Sequence, residues 1–544
     1  MSVVPTAADP QRVTLARAAI AEGRTALGIE LGSTRIKASL VDLDGAPLAS
    51  GSHDWENKFV DRMWTYSLDD VWTGLQECFA SLRADTERRY GVSPTTFGAL
   101  GVSAMMHGYL ALDGDGELLV PFRTWRNTTT ERAAAELSEL FGHNIPLRWS
   151  IAHLYQAVLD DEPHLDALRS LTTLAGYVHG RLTGRHVLGV GDASGMFPID
   201  SATRGYDRSM LTQFNELVAE RRPDLHLADL LPEVLVAGQQ AGQLTPEGAA
   251  LLDPSGTLRA GVPLCPPEGD AGTGMVATNA VTPRTGNVSV GTSIFAMVVL
   301  ERPLARVHHE LDLVTTPAGD LVAMVHCNNG ASELGAWAEI FGQFAVALGH
   351  GGEPDAVFGA LLREALAGEA DGGGLLAYNY LSGEPITGLP EGRPLVVRTP
   401  DSRFTLANFM RTQVYGAFAT LSLGMRVLEA EGVELDTLFA HGGMFRTAGV
   451  AQPLLAAAVR APVAVATSAS EGGPWGMALL AAYLGAAADL DLGTYLRTRV
   501  FAGSDVTVVE PDAADLAGFA TYLDRYVAGL EIERAAVAAT AHGA

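Results

Sequence analysis

Asp270 lies in the stretch of sequence that is best suited to acid–base chemistry on a phosphorylated ligand. Residues 267–274 read PEGDAGTG, directly after a predicted strand and at the start of a predicted helix whose first turn is rich in glycine. A carboxylate at this point faces the helix N-terminus and any phosphate that docks there, and it can accept the proton of a hydroxyl group. Capping of the helix is an equally simple alternative for Asp270, so neighbouring motifs must decide between the two.

Three glycine-rich turns follow short apolar strands and could bind an anion through backbone N–H groups. Small residues at the junction of a strand and a turn let these groups approach phosphate oxygens without interference from a Cβ atom. Any one such turn alone is more often a plain hairpin, but three of them in two repeated halves favour a phosphate site. The turns are Gly32-Ser33-Thr34, Gly291-Thr292-Ser293 and Gly442-Gly443-Met444.

Two familiar nucleotide motifs are missing from the sequence. A P-loop needs a lysine after its glycines, and Lys37 and Lys58 are the only lysines of the chain. Residues 189–191 (GVG), with Gly195 further on, lack the spacing and the acidic partner of a dinucleotide-binding fingerprint. A phosphorylated ligand must therefore be bound by backbone N–H groups, a metal ion or a few arginines.

The composition indicates a globular protein with two substantial domains. The chain has 544 residues, 47% of them hydrophobic and 18% charged, which excludes a disordered or fibrous protein. Its formal net charge of −26 disfavours non-specific binding to nucleic acid or to anionic membranes. Cys78, Cys265 and Cys327 are widely spaced, as expected of thiols in a reducing compartment. With no secretory leader and no apolar run long enough to span a bilayer, we expect a cytoplasmic protein.

The candidate turns lie within a pattern of strands and helices that occurs twice. In the first half we predict strands at 26–30 and 99–102, and a helix at 67–83 with Ser67 as its N-cap. In the second half we predict strands at 285–291, 294–300 and 321–326, and a helix at 332–348. The two halves are therefore expected to share one plan of strands followed by helices.

The remaining segments carry fewer signals. Residues 145–260 are predicted to be mostly helical by periodicity, and residues 258–264 are predicted to form a strand. A helix is predicted at 11–21, before the first strand. Later predicted elements are helices at 406–431, 449–459 and 473–487, a strand at 437–440, and a last helix capped by acidic residues in 512–515.

The motifs together resemble those of the FGGY family of carbohydrate kinases, within the actin-like, ribonuclease-H-like ATPase superfamily. The resemblance runs from about residue 25 to about residue 500, and GIELGSTRIKA at 28–38 is similar to the first phosphate motif of the family. GVSAMMHG at 101–108 resembles the Met-His-Gly sugar-site segment typical of xylulokinases. EGGPWGMALLAAYLG at 471–485 is similar to the closing helix on the adenosine side.

The resemblance implies roles for particular residues. Asp270 matches the catalytic aspartate of the family, and Glu30 stands where the family usually has the Asp that orients Mg²⁺ and its waters. ATP and Mg²⁺ are the implied cofactors, with the metal bound through water at Glu30 and at Asp270. The implied sugar-binding residues are Met106, His107, Trp125, Asn127 and Asp270. The implied ATP- and phosphate-binding residues are Gly32, Ser33, Thr34, Lys37, Gly291, Thr292, Ser293, Gly442, Gly443 and Met444.

Three of these residues also have simpler structural interpretations. Lys37 can lie on a solvated strand face, which its residue type favours over a phosphate contact. His107 and Trp125 can pack in a core instead of contacting a sugar.

The resemblance also implies an α/β fold. Two ribonuclease-H-like domains are expected, each a mixed β-sheet flanked by helices, with the active site in the cleft between them. We expect an N-terminal extension at 1–24, a sugar-binding domain at 25–280, an ATP-binding domain at 281–505 and a helical tail at 506–544. The expected partners are a small sugar and ATP, without nucleic acid or membrane, and a homodimer is one option for assembly.

The implied activity is transfer of the γ-phosphate of ATP to a small ketose, with D-xylulose as the leading substrate. Ala271 stands where xylulokinases often have an Asn on the sugar, so other pentuloses such as ribulose, and polyols such as erythritol, stay open. Two other classes are an actin-like ATPase without a sugar acceptor and a sugar-sensing pseudo-kinase. Met106 and His107 together with Asp270 favour a kinase with an acceptor pocket over both.

Overall fold

A computed structural model describes residues 10–447, 449–466 and 472–540 of the chain. The chain divides into two units. The first comprises Met1–Val281, Leu313–Val322 and Glu471–Gly503, and the second comprises Thr282–Asp312, Ala323–Ser470 and Ser504–Ala544. The expected boundary at residue 280 lies beside this division, but the helix around residue 475 belongs to the first unit and not to the second.

The strands and helices alternate along both units. The strands are β1 Thr25–Leu31, β2 Arg35–Asp42, β3 Pro47–Asp54, β4 Lys58–Val60, β5 Met63–Thr65, β6 Ala99–Ala104, β7 Leu110–Leu112, β8 Ser170–Thr172, β9 Val187–Gly189, β10 Ile199–Asp200, β11 Gly205–Tyr206, β12 Glu233–Leu235, β13 Glu268–Gly269, β14 Thr285–Val290, β15 Ile294–Val299, β16 Leu311–Thr315, β17 Leu321–Cys327, β18 Leu376–Tyr378, β19 Leu395–Val397, β20 Thr437–Gly442, β21 Val463–Ala466 and β22 Val506–Val509. The helices are α1 Pro10–Ala21, α2 Leu68–Tyr90, α3 Glu131–Phe141, α4 Ser150–Leu159, α5 Leu174–Thr183, α6 Val190–Ala193, α7 Arg208–Val218, α8 Leu227–Leu230, α9 Pro246–Leu252, α10 Asp270–Ala277, α11 Ser332–Ala347, α12 Pro354–Leu366, α13 Leu406–Ala430, α14 Ala451–Val459, α15 Gly472–Tyr483, α16 Leu492–Tyr495, α17 Ala513–Ala528 and α18 Leu530–Thr540.

The main sheet of the first unit has the strand order β13-β6-β1-β2-β3. β1 and β2 form an antiparallel hairpin, which pairs Glu30 with Lys37. β6 runs parallel to β1, and β13 runs parallel to β6. Since parallel strands end at the same edge of a sheet, the segments that follow β1, β6 and β13 meet at one edge. These segments are the first glycine-rich turn, the Met106-His107 segment and Asp270.

The helix that follows this hairpin confirms the predicted cap. The Ser67 side chain accepts a hydrogen bond from the Asp70 N–H at the start of α2, which continues beyond the predicted end as far as Tyr90. Gly91 then ends the helix in the left-handed conformation, where glycine has no Cβ penalty. The helix α2 is longer than predicted, and its last two turns, beyond the predicted end at residue 83, are rich in charged residues.

The seven-stranded sheet has the order β16-β17-β15-β14-β20-β21-β22. β14 and β15 form an antiparallel hairpin, and β20 runs parallel to β14 with Val290 beside Gly442. A hairpin flanked by a parallel strand therefore occurs in this sheet as it does in β1, β2 and β6. The turns at Gly291 and at Gly442 lie at the carboxyl ends of two neighbouring parallel strands.

Two predicted segments differ in the structure. Residues 145–260 contain the short strands β8 to β12 among their helices, because short apolar runs fit either state and long-range pairing decides between them. Residues 258–264 are not a strand, apart from isolated bridges at Pro263 and Leu264. The Asp253 carboxylate accepts the N–H groups of Ser255, Thr257 and Leu258, which removes these donors from any ladder.

Gly28, in the middle of β1, is a position where the fold should not tolerate a side chain. A Cβ atom there would lie 2.2 Å from the Pro474 carbonyl oxygen and 2.3 Å from the Ala478 nitrogen of α15. We expect Gly28→Ala to lower the free energy of unfolding by about 1–3 kcal/mol, because helix and strand must move apart. Thermal and urea unfolding measure this loss.

Gly335→Ala is the matched control for this substitution. No described atom lies within 4 Å of a Cβ built at Gly335 in α11, so alanine should leave stability equal or raise it by up to about 1 kcal/mol. Equal stabilities of the Gly28 and Gly335 variants would contradict the close packing of α15 on β1.

Candidate active site

Three strand ends of the first unit bring Glu30, Met106 and Asp270 to one edge of the sheet. The register places Glu30 of β1 beside Ser103 of β6, and Ser103 beside Glu268 of β13. The Met106 N–H donates a hydrogen bond of 3.3 Å to Asp270 Oδ1. The implied sugar segment and the implied base are thus joined directly.

Asp270 is the first residue of α10, and its environment suits a base of moderate strength. The N-cap position belongs to Gly269, so the alternative in which Asp270 merely caps the helix is wrong. Asp270 is accessible to solvent, and desolvation by the protein around it raises the pKa of its carboxyl to about 6, against the lowering effect of backbone N–H groups that include that of Met106. Such a carboxyl is ionised at neutral pH and still basic enough to take a proton.

Glu30 is a buried carboxyl close to Asp270. Burial and, to a smaller extent, the charge of Asp270 raise the pKa of Glu30 to about 7, against the lowering effect of the charge of Lys37. Lys37 is exposed at the position opposite Glu30 on the hairpin. Lys37 therefore lies on a solvated strand face and is also close to the carboxylate of Glu30.

Glu30 and Asp270 form a donor set that fits Mg²⁺. Glu30 lies where a Cβ at Gly473 would be 1.4 Å from its Oε2 atom, so only glycine leaves room for this carboxylate. The described residues include no group of three or more side chains of the metal-ligating types His, Cys, Asp and Glu. One or two carboxylates completed by water and phosphate oxygens are the usual protein contribution to Mg²⁺ binding.

Sequence reasoning missed two further buried carboxyls behind Asp270. Glu268 accepts hydrogen bonds from the N–H groups of Gly191, at 3.4 Å, and Asp192, at 3.0 Å. Asp192 Oδ2 accepts a 2.6 Å bond from the Thr173 hydroxyl. Burial raises the pKa of Asp192 to about 7 and that of Glu268 well above its usual range.

The signal for this pair was the glycine pattern at 189–191. A Cβ at Gly189 would lie 2.1 Å from Glu268 Oε1, and one at Gly191 would lie 2.4 Å from Oε2. The two glycines that resemble a broken dinucleotide motif therefore make room for a buried carboxyl. Their spacing alone does not indicate which side chain fills that room.

The Met106-His107 segment is held in an unusual backbone conformation. His107 has a φ of 70°, which a side-chain-bearing residue rarely adopts outside functional or strained sites. Its Nδ1 atom lies 3.2 Å from the Gly195 carbonyl oxygen, and its ring stacks on Trp149. In the next residue, the Gly108 carbonyl oxygen accepts a hydrogen bond from the Ser150 hydroxyl, and the Gly108 N–H donates to the Arg148 carbonyl oxygen. His107 is therefore buried and oriented by partners from two other segments.

Trp125 and Asn127 have different roles in the structure. The Asn127 amide bonds both backbone groups of Trp64, at 2.9 and 2.8 Å, so its hydrogen-bonding groups serve the β4–β5 hairpin and not a ligand. Trp125 keeps 38% of its surface exposed, so its ring is not a core residue. Direct sugar binding stays a prediction for Trp125, and Asn127 is better described as supporting that hairpin.

The turns of the second unit present backbone N–H groups. The carbonyl oxygens of Gly291 and Thr292 accept hydrogen bonds from Ala331 and Gly330, at 2.8 and 2.7 Å. Because the N–H and C=O of a trans peptide point in opposite directions, the N–H groups of Thr292 and Ser293 face the other way. Gly442 approaches β14 so closely that a Cβ would lie 2.2 Å from the Val290 carbonyl oxygen.

Met444 is the one member of the third turn whose side chain is inside the unit. It is 1% exposed, so only its backbone could contact a nucleotide. Its implied role as a phosphate-binding residue rests on its position directly after Gly443.

Two family models match the chain over most of its length. The N-terminal domain of the FGGY family of carbohydrate kinases matches residues 25–276, and the C-terminal domain of that family matches residues 286–485. The chain belongs to the FGGY family of carbohydrate kinases. It is a phosphotransferase that acts on a sugar hydroxyl, and the expected α/β two-domain fold is confirmed.

Curated relatives are similar at low identity. A xylulose kinase from Haemophilus influenzae is 22% identical over 361 residues, which cover 64% of this chain and 68% of that protein. A xylulose kinase from Escherichia coli is 24% identical over 293 residues, which cover 52% of this chain and 56% of that protein. The match thus spans little more than half the length of the second relative.

Solved structures with this fold act on more than one kind of acceptor. The ligand-bound xylulose kinase from Lactobacillus acidophilus superposes with a TM-score of 0.75 at 18% identity, covering 95% of this chain and 99% of that chain. The gluconate kinase from the same organism also gives 0.75, at 19% identity and with 94% and 98% coverage. Plasmodium falciparum glycerol kinase gives 0.73, at 14% identity and with 93% and 97% coverage. In the part of the kinase that the structure describes, no helix is long and apolar enough to cross a membrane.

The raised pKa of Asp192 predicts a pH dependence of stability. Its folded value of about 7 exceeds the ordinary value of 3.8, so the folded state binds this proton more tightly than the unfolded state. The resulting stabilisation is complete below pH of about 4 and is lost as the pH rises through about 7. Between pH of about 4 and about 7, the free energy of unfolding of the wild type should fall by up to about 1.4 kcal/mol per pH unit relative to that of Asp192→Asn.

Urea unfolding of both proteins between pH 4 and 8 measures this difference. Asp115→Asn is the control, because Asp115 is exposed in the folded kinase and its replacement should leave the pH dependence of the wild type intact. A pH-independent difference between the wild type and Asp192→Asn would remove Asp192 as a titrating group.

Proposed function

We propose that the kinase transfers the γ-phosphate of ATP to a hydroxyl group of a small ketose, with D-xylulose as the leading substrate. The observation that carries this proposal is the solvent-accessible Asp270 carboxyl, which accepts a hydrogen bond from the Met106 backbone N–H. An acceptor hydroxyl bound at the Met106-His107 segment would lie close to the Asp270 carboxylate, because that carboxylate is hydrogen-bonded to the Met106 N–H. Neither an ATPase without an acceptor nor a sugar sensor needs a base at that position.

Asp270 would act on the acceptor late in the reaction. A sugar hydroxyl is a weak nucleophile, so phosphoryl transfer depends on in-line positioning and on removal of the proton as the new O–P bond forms. Desolvation raises the pKa of Asp270 only to about 6, so the carboxylate is available at neutral pH. His107, buried and oriented by Gly195 and Trp149, would donate to or accept from a sugar hydroxyl.

Phosphate binding would rest on backbone groups instead of lysines. The N–H groups of Ser33 and Thr34 in the first unit, and of Thr292 and Ser293 in the second, are the proposed donors to phosphate oxygens. Glu30, with Asp270, would hold Mg²⁺ through water, and the bound ion would spread the charge of the β- and γ-phosphates. The turn at Gly442 and Gly443 is proposed to contact the nucleotide through its backbone.

The choice of D-xylulose rests on similarity and on one motif. The curated relatives named above are xylulose kinases, and Met106 with His107 resembles the sugar segment of that group. Gluconate and glycerol kinases share the fold at nearly the same TM-score. The fold is therefore compatible with several acceptors, and the acceptor must be identified by experiment.

A panel of acceptors tests this choice. We expect ATP-dependent ADP release with D-xylulose to give the highest kcat/KM, above D-ribulose, erythritol, D-gluconate and glycerol, in a coupled assay with Mg²⁺. Higher activity with another acceptor would replace D-xylulose by that compound. ADP release at the same rate without any acceptor would favour the ATPase, and sugar binding without turnover would favour the sensor.

Asp270→Asn tests the base. We expect kcat with the best acceptor to fall by about 10²- to 10⁴-fold, because a positioned base typically contributes that much. Binding of sugar and of ATP, measured by calorimetry, should persist because the amide keeps the size and the acceptor oxygen of the carboxylate. Asp113→Asn, in a turn of the same unit, is the control and should retain wild-type kcat; unchanged turnover in Asp270→Asn would exclude the base.

A further inference from the structure

The first phosphate turn, defined as Gly32, Ser33 and Thr34, has each of its carbonyl oxygens bound by the protein. The Trp55 indole N–H donates to the Gly32 oxygen at 2.7 Å. The Tyr66 hydroxyl donates to the Ser33 oxygen at 2.6 Å, and the Trp55 backbone N–H donates to the Thr34 oxygen at 3.1 Å. Trp55 and Tyr66 therefore bind three consecutive carbonyl oxygens of the turn.

This arrangement determines where the N–H groups of the turn point. In a trans peptide the C=O and the next N–H have opposite directions, so tying back the Gly32 and Ser33 oxygens turns the Ser33 and Thr34 N–H groups outward. No described residue accepts a hydrogen bond from these two N–H groups, and both residues are exposed. Two outward N–H donors on an exposed turn form a site for an anion.

The two aromatic side chains are rigid enough to hold this geometry. Trp55 is 7% exposed and Tyr66 is 1% exposed. Their rings stack with centroids 4.2 Å apart and planes 25° apart, which restricts the rotation of both side chains. Burial raises the pKa of Tyr66 to about 12, so its hydroxyl remains a donor at neutral pH.

We propose that Trp55 and Tyr66 are positioning residues that bind the carbonyl oxygens of the first phosphate turn and thereby orient its N–H groups toward the phosphates of ATP. This inference rests on the proposed function of the turn. Neither side chain touches the ligand, so its effect reaches ATP only through the direction of the turn's peptide groups.

Single substitutions to phenylalanine test the pair, because they remove one donor and keep an aromatic ring. Trp55→Phe and Tyr66→Phe should each weaken the binding of Mg²⁺ with AMP-PNP about tenfold, since a carbonyl that loses its buried donor no longer fixes the peptide. The KM for ATP should rise by a similar factor. The affinity for AMP, which lacks the β- and γ-phosphates, and that for D-xylulose alone should stay within about twofold of wild type.

Matched controls in the same unit separate positioning from general loss of stability. Tyr90→Phe removes a hydroxyl that donates to the Leu48 carbonyl at 2.9 Å, and Trp72→Phe removes an indole N–H that donates to the Tyr177 hydroxyl at 3.4 Å. Both should lower the melting temperature as much as the test variants do, while the affinity for AMP-PNP stays at the wild-type value.

Two outcomes would overturn the inference. One is an AMP-PNP affinity of Trp55→Phe and Tyr66→Phe equal to that of the controls, and the other is an equal loss of AMP and AMP-PNP affinity. If one variant fails to fold, the other decides, because each removes a different donor from the turn. A wild-type enzyme that binds AMP-PNP but phosphorylates no acceptor would contradict the proposed function while leaving this comparison intact.

Discussion

The parallel pairing of β13, β6 and β1 determines the position of every candidate catalytic group in the first unit. Parallel strands end at a common edge, so Glu30, Met106 and Asp270 meet there although they are far apart in sequence. A shift of one residue in the β1 register would turn Glu30 to the opposite face of the sheet. The antiparallel hairpin of β1 and β2 fixes that register and places Lys37 opposite Glu30.

Burial, rather than a partner cation, sets the strength of the carboxyl groups at this edge. Desolvation is the largest cause of the raised pKa of Glu30, Asp270, Asp192 and Glu268. Backbone N–H groups and the Thr173 hydroxyl offset part of the cost. The result is a base that titrates close to neutral pH, backed by two carboxyl groups that favour their protonated forms.

Each unit has a glycine-rich turn whose carbonyl oxygens are bound by other residues of the same unit. In the first unit, Trp55 and Tyr66 bind the carbonyl oxygens of the turn after β1. In the second, Gly330 and Ala331 bind those of the turn after β14. The chain has only two lysines and a net charge of −26, which is consistent with the proposal that N–H groups and a metal ion attract the phosphates.

Local sequence was enough to predict the elements and motifs whose cause is local. Ser67 caps α2 because a Ser oxygen can reach the N–H three residues on, and the 32–34 turn closes a hairpin because small residues fit its backbone. The family motifs added Glu30 and Asp270, since their residue types and spacing are carried by short segments. None of these inferences requires knowledge of a distant contact.

The tertiary structure decided what depends on residues far apart in the chain. Periodicity could not find β8, β9 and β12 because their partners lie outside the local window. The contact of the Glu268 carboxyl with the glycines at 189–191 and the hydrogen bonds of the Asn127 amide to Trp64 appear only in the folded chain. Sequence thus determined which groups could do the chemistry, whereas long-range packing determined which are buried, paired and aimed, because desolvation and hydrogen-bond direction exist only in the folded chain.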